Sequence, residues 1–189
     1  MRWQQLFADL EARFEAEQEA AERAESSSRA RVEVGALRLA DRLRGAVGSP
    51  VVLLCRGAGP VAGVLVDVGS DWVLVADDRG QECLIASSAV RAVSGLGRRT
   101  AVAEEAGPVR GRLDLRRALR GLARDRAALH LVLDDGTVLV GTIDRVGADY
   151  VELAEHSADL HRRAEAVQGV RAVVIDAVAL VRTTTPGLD

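Results

Sequence analysis

Lysine and asparagine are absent from the chain, all 25 basic residues are arginine, and isoleucine occurs only at Ile85, Ile143 and Ile175. The missing residues share AT-rich codons, so their scarcity points to a high-GC bacterial genome, and part of the arginine content reflects avoided lysine. Cysteine is confined to Cys55 and Cys83, 28 residues apart in apolar surroundings. That separation matches neither a CxxC pair nor a zinc-site spacing, so both read as small buried hydrophobes, and no metal or cofactor is expected. Aromatic residues make up 3% of the chain, and Trp72 and Tyr150 are the only ones beyond residue 14. A base-stacking platform would therefore be sparse. No run reaches the ~20 apolar residues of a membrane span. The opening MRWQQLFADLEARFEAEQ interrupts its apolar residues with charge and lacks a signal-peptide core. A cytoplasmic protein without membrane contact is expected. A net charge of −3 excludes uniform coating of nucleic acid, which needs concentrated positive charge, so the distribution of charge matters more than its sum.

The chain does have 189 residues, 48% of them hydrophobic, enough for one ordinary core or two small ones. Trp3, Phe7, Leu10 and Phe14 recur at spacings of four, three and four among Asp9, Glu11, Glu15, Glu17, Glu19 and Glu22, the pattern of an amphipathic helix. So aromatic a stripe needs a covering surface, either the rest of the chain or a partner. A polar Glu25-Ser26-Ser27-Ser28 tract follows, then a second periodic stretch with Val34, Leu37, Leu39 and Leu43. Gly45, Gly48 and Pro50 end the helical region, Pro50 also holding Ser49 out of the α conformation.

From Val51 the period changes to short β-rich runs, VVLLC, VAGVLVDV, WVLVA and CLIA, divided by Gly, Asp and Ser. From Leu129 the same order returns as LHLVL, VLVGTIDRV, YVELA and VVIDAVALV. Residues 51–75 align without a gap on 129–153, an offset of 78. Leu53, Gly63, Val68, Gly69, Asp71 and Val73 are repeated as Leu131, Gly141, Val146, Gly147, Asp149 and Val151, and Trp72 becomes Tyr150. Each copy is preceded by a helical Leu-Arg-Gly, at Leu43-Arg44-Gly45 and Leu119-Arg120-Gly121, and closed by a related run, ASSAVRAV or VIDAVALV. This is an internal repeat. It predicts a mainly β fold with an N-terminal helix and two tandem five-stranded small barrels, each preceded by a short helix. The expected divisions are a helical region over 1–44, a first barrel over 45–95, a Gly-rich and charged linker over 96–111, a helix and second barrel over 112–183, and a tail over 184–189.

Each copy runs helix, strand, polar turn, long strand with a central glycine, Gly-Xaa-Asp turn, strand, variable loop, strand, short turn, strand. In this order, carried best by LVLDDGTVLVGTIDRVGADYVEL, each copy resembles the Sm-like small barrel of the LSm and Hfq proteins over about 40–95 and 115–183. The resemblance implies that Gly63 and Gly141 permit a strongly bent second strand. It also implies RNA binding through loops. Here the later loop reads DDRGQE in one copy and EHSADLHRRAEAVQG in the other, without that family's RNA-contacting signature. The whole chain further resembles an actinobacterial family labelled as Fis-type transcriptional regulators, although it has no helix-turn-helix pair.

Gly57-Ala58-Gly59-Pro60-Val61-Ala62-Gly63 imitates a dinucleotide-binding loop, but its aligned segment, Asp134-Asp135-Gly136-Thr137, is a hairpin turn and no helix follows either. His130 reads as a surface histidine, and His156 and His161 lie in the loop with Arg162 and Arg163 and read as solvated. Ser87 and Ser88 read as a turn without a base or nucleophile elbow, so no enzyme is expected. Charge is concentrated once. Nine arginines, Arg98, Arg99, Arg110, Arg112, Arg116, Arg117, Arg120, Arg124 and Arg126, stand against Glu104, Glu105, Asp114 and Asp125. On a helix over about 112–124, Arg112, Arg116, Arg120 and Arg124 form an i, i+4 row opposite Leu115, Leu119 and Leu122.

That row, with Arg98 and Arg99, is the expected site for the phosphates of RNA or DNA in a non-enzymatic regulatory module. The alternative is a protein–protein scaffold that oligomerises or docks a partner through Trp3, Phe7, Leu10 and Phe14 and through barrel edges.

Overall fold

A computed structural model describes residues 37–97, 113–156 and 169–183, together with Arg13, Glu17–Glu19 and Gly35. The chain divides into two units, Met1–Leu39 and Ala40–Asp189. Of the first, Arg13, Glu17–Glu19 and Gly35 are helical and exposed. Trp3, Phe7, Leu10 and Phe14 lie outside the described residues, as does most of the expected linker.

Helix α1 (Leu39–Arg44) stops where the breakers fall. Residues 45–48 turn, Gly48 adopts φ +85°, and Pro50 opens β1 (Pro50–Cys55). The first copy continues through β2 (Gly59–Val68), β3 (Trp72–Ala76), β4 (Glu82–Ala86), a 3-10 turn at Ser87–Ala89 and β5 (Val90–Ser94). The second is α2 (Leu115–Asp125), β6 (Ala128–Leu133), β7 (Val138–Val146), β8 (Tyr150–Glu155), β9 (Gly169–Val174), a 3-10 turn at Ile175–Ala177 and β10 (Val178–Thr183).

The copies agree down to their irregularities. β2 slips register against β3 between Leu65 and Asp67, and β7 does so against β8 between Ile143 and Arg145, 78 residues on. β1 slips against β5 at Cys55, opposite Val90, and β6 meets β10 in the same way at Leu133, opposite Val178. From β4 onward the offset becomes 88, since Ser87–Ala89 corresponds to Ile175–Ala177. A Cβ at Gly63 would strike the Ala76 carbonyl and one at Gly141 the Ala154 carbonyl, so glycine is required where the second strand passes closest to the third.

Ten antiparallel strands form one sheet in the order β5-β1-β2-β3-β4-β10-β6-β7-β8-β9. The mainly β expectation holds, but the expectation of two tandem barrels is corrected, because this is a single open sheet. β4 of the first copy pairs with β10 of the second, with Ile85 opposite Leu180, Leu84 opposite Val181 and Cys83 opposite Arg182. The physical reason lies in β10, whose Val178-Ala179-Leu180-Val181 is buried without alternation. Leu180 enters the first core beside Leu53, Val73 and Ile85, while Val178, Ala179 and Val181 enter the second beside Leu119, Leu129 and Val151. A strand apolar on both faces is satisfied only between two neighbours and two packed layers.

Candidate nucleic-acid interface

Helix α2 is built by local signals and then fixed to the sheet. Asp114 caps it in extended conformation, its carboxylate accepting the Arg117 N–H at 2.8 Å, and Arg126 ends it in the left-handed region at φ 51°. Leu115 and Leu119 are buried, and Leu122 and Ala123 pack against the same core. The first copy holds the helix start. The Leu115 N–H donates to Asp71 Oδ1 at 2.7 Å, and the Trp72 indole N–H donates to the Leu113 carbonyl at 2.7 Å. With one face sealed, the arginines turn outward.

Arg117, Arg120 and Arg124 are exposed. The Arg124 Nε lies 3.5 Å from Asp125 Oδ1, but with the arginine side chain 83% exposed this contact binds it weakly. Arg116 is half-buried, and its guanidinium is drawn back toward the helix start, 4.0 Å from Asp114 Oδ2 and donating to the Ala148 carbonyl at 3.4 Å. The straight row through Arg116 therefore gives way to a face formed by Arg117, Arg120 and Arg124. Arg117 had a sequence signal, since it stands three residues before Arg120 and seven before Arg124. Arg98, Arg99, Arg110 and Arg112 lie outside the described residues.

Cys55 and Cys83 are free and buried. Burial, with Cys83 adding to it, pushes the Cys55 thiol up, and burial likewise raises Cys83 against the lowering influence of Arg182. His156, read as solvated, is 3% exposed, and its Nε2 sits 2.8 Å from Thr142 Oγ1. The arginines that follow it in sequence disguised a buried histidine satisfied by a hydroxyl. His161 lies outside the described residues. Gly57 and Gly59 adopt φ +74° and +70° in a hairpin, as the repeat requires. Among the described residues, no group of three His, Cys, Asp or Glu could hold a metal ion, and no helix is long and apolar enough to cross a membrane. A groove of about 590 Å³ is lined by Val51, Val52, Ala62 and Val64 together with Asp77 and Asp78.

No family model matches the chain, and no curated protein shows significant similarity to it.

Proposed function

We propose that the protein is a non-enzymatic regulatory module that binds the phosphate backbone of RNA or DNA through the outward face of α2. One observation carries this reading. A helix locked onto the sheet by Leu115, Leu119 and the Asp71 and Trp72 contacts presents Arg117, Arg120 and Arg124 together to solvent. Over Leu115–Asp125 there are four arginines and one aspartate, so positive charge gathers on one surface of a chain that is negative overall. Guanidinium groups on a fixed helix grip phosphate oxygens without reading base edges, so shallow sequence preference is expected. The strand order within each copy and the close passage at Gly63 and Gly141 also suit the Sm-like small barrel, a fold shared with RNA-binding proteins.

The test is fluorescence anisotropy of the full chain against single-stranded RNA and duplex DNA at about 50 and 200 mM salt, a range over which several phosphate contacts weaken steeply. Binding that weakens with salt and disappears when Arg117, Arg120 and Arg124 are together changed to Gln supports the reading. No binding at the lower salt removes it.

A second reading, an interaction scaffold, is favoured by the two ends of the sheet. Among the described residues, β5 and β9 each have a strand on one side only. An uncovered edge is a template for another strand. The stripe of Trp3, Phe7, Leu10 and Phe14 would add a second contact.

A further inference from the structure

β1 alternates between exposed and buried residues over its whole length, and β2 does so over most of its own. A sheet with one face in solvent ordinarily turns polar residues outward. Here the outward set is Val52 and Leu54 on β1 with Ala62, Val64 and Val66 on β2, and Val52, Leu54 and Val64 are 42%, 48% and 45% exposed. Val52 stands opposite Ala62, and Val64 opposite Ala76, so these side chains share one apolar face.

The second copy shows that the fold does not require this. At the offset of 78, polar His130, Thr142 and Asp144 stand where the first copy has Val52, Val64 and Val66. The place is also filled there. Thr142 and Ala154 are buried, and His156 lies against Thr142, its Nε2 2.8 Å from the hydroxyl and its backbone N–H donating to the Val140 carbonyl at 3.2 Å. In the first copy Asp78 takes the place of His156, and the chain turns instead. The Asp77 N–H donates to the Gln81 carbonyl at 3.0 Å, and the Asp77 carboxylate accepts the N–H groups of Arg79 and Gln81. Where the second copy is closed by an imidazole, the first keeps a groove of about 590 Å³, lined by Val52, Ala62, Val64 and Ala76 with Asp77 and Asp78.

The charge of the groove has one sign. None of the residues lining it is basic, and the turn over 77–82 holds three acids against Arg79 alone, which is not among them. Such a site repels phosphate, so neither nucleic acid nor an anionic lipid surface suits it. Apolar surface beside carboxylates suits a cation carried on an aliphatic stem. The apolar face runs on past the groove to Leu54 and Val66, an extent that fits a chain segment better than a small molecule.

We propose that this groove docks a segment of a partner protein in which aliphatic side chains flank a basic one. The aliphatic side chains lie on Val52, Ala62 and Val64, and the cation meets Asp77 and Asp78. This surface goes beyond both readings of the function given above and depends on neither, since it uses no arginine of α2 and pairs no strand edge.

The test is a displayed library of random short peptides panned on the immobilised full chain, with the enriched sequence then made as a labelled peptide and titrated by anisotropy. Two variants are compared with the native chain, and circular dichroism is the folding control. Val52→His with Val64→Thr installs the residues that the second copy carries at these places, and Asp77→Asn with Asp78→Asn removes the charge while leaving an oxygen to accept in the turn. The expected results are enriched sequences with arginine, lysine or histidine beside aliphatic residues, binding at least about tenfold weaker in the first variant, and binding about fivefold weaker in the second. A library that yields no binder, enriched sequences without a basic residue, or a peptide that binds both variants as tightly as the native chain would each overturn the proposal. If the valine variant does not fold, the aspartate variant decides. Nucleic-acid affinity, measured alongside, should be the same in both variants as in the native chain, so failure of this site and failure of the α2 interface are read separately.

Discussion

The indole N–H of Trp72, at the start of β3, donates to the carbonyl of Leu113 at the foot of α2, 2.7 Å away and 41 residues on. Tyr150, which holds the same place in the second copy, is exposed. One repeated position thus ties the copies together in one setting and stands open in the other.

Trp72→Phe should therefore cost about 1 kcal/mol for the lost hydrogen bond, and Trp72→Ala about 3–5 kcal/mol as a cavity opens beside the second core. Tyr150→Phe, at an exposed position, should stay within about 0.5 kcal/mol. Urea unfolding followed by circular dichroism separates the two positions. Equal costs would contradict the asymmetry.

Glycine positions give a contrast of sign. Gly63→Ala and Gly141→Ala place a methyl group against the carbonyls of Ala76 and Ala154 and should each destabilise by about 1–3 kcal/mol. Gly121, in the interior of α2, has open space around it, so Gly121→Ala should stabilise by about 0.5–1 kcal/mol through helix propensity. Melting curves of the three variants check both directions.

Much of this architecture was legible in the sequence because its signals are local. The gapless offset between Leu53 and Leu131 gave the two copies, and Gly48 with Pro50 marked the end of the first helix; Gly63 and Gly141 stood out as the place of a bend, while their close approach to the Ala76 and Ala154 carbonyls came from the structure. The seam was not legible, since pairing between β4 and β10 joins residues about 95 apart and no local pattern names the partner edge. A hint was present. Val178 to Val181 runs apolar without alternation, whereas its counterpart, Val90-Arg91-Ala92-Val93, is interrupted by charge, and that difference separates a strand covered on both faces from one at an edge. In the candidate site, the Leu115 and Leu119 stripe was readable from period alone, and so were Arg120 and Arg124. The retreat of Arg116 was not, because it depends on Asp114 and on the Ala148 carbonyl, 32 residues away.

The two thiols give the chain a pH signature at the alkaline end. Burial raises both in the folded state, so the unfolded chain loses its thiol protons first as pH rises. Stability should be unaffected below the ordinary thiol range, decline as pH climbs through it, and level off only above the raised folded values. Cys55→Ala with Cys83→Ala should flatten that decline. Disulfide-exchange reagents should label the native thiols only on unfolding. Rapid labelling of the folded chain would contradict their burial.

The outward arginines of α2 are tested most directly by the salt dependence of nucleic-acid affinity in single variants. Anisotropy titrations of the native chain, Arg117→Gln, Arg120→Gln and Arg124→Gln against one duplex, at several salt concentrations, give the slope of log Kd on log salt for each. Each phosphate contact contributes about 0.9 to that slope, so every variant should weaken binding and lower the slope by about one, equally on unrelated sequences. Affinities and slopes unchanged in all three variants would contradict an interface on this face of the helix.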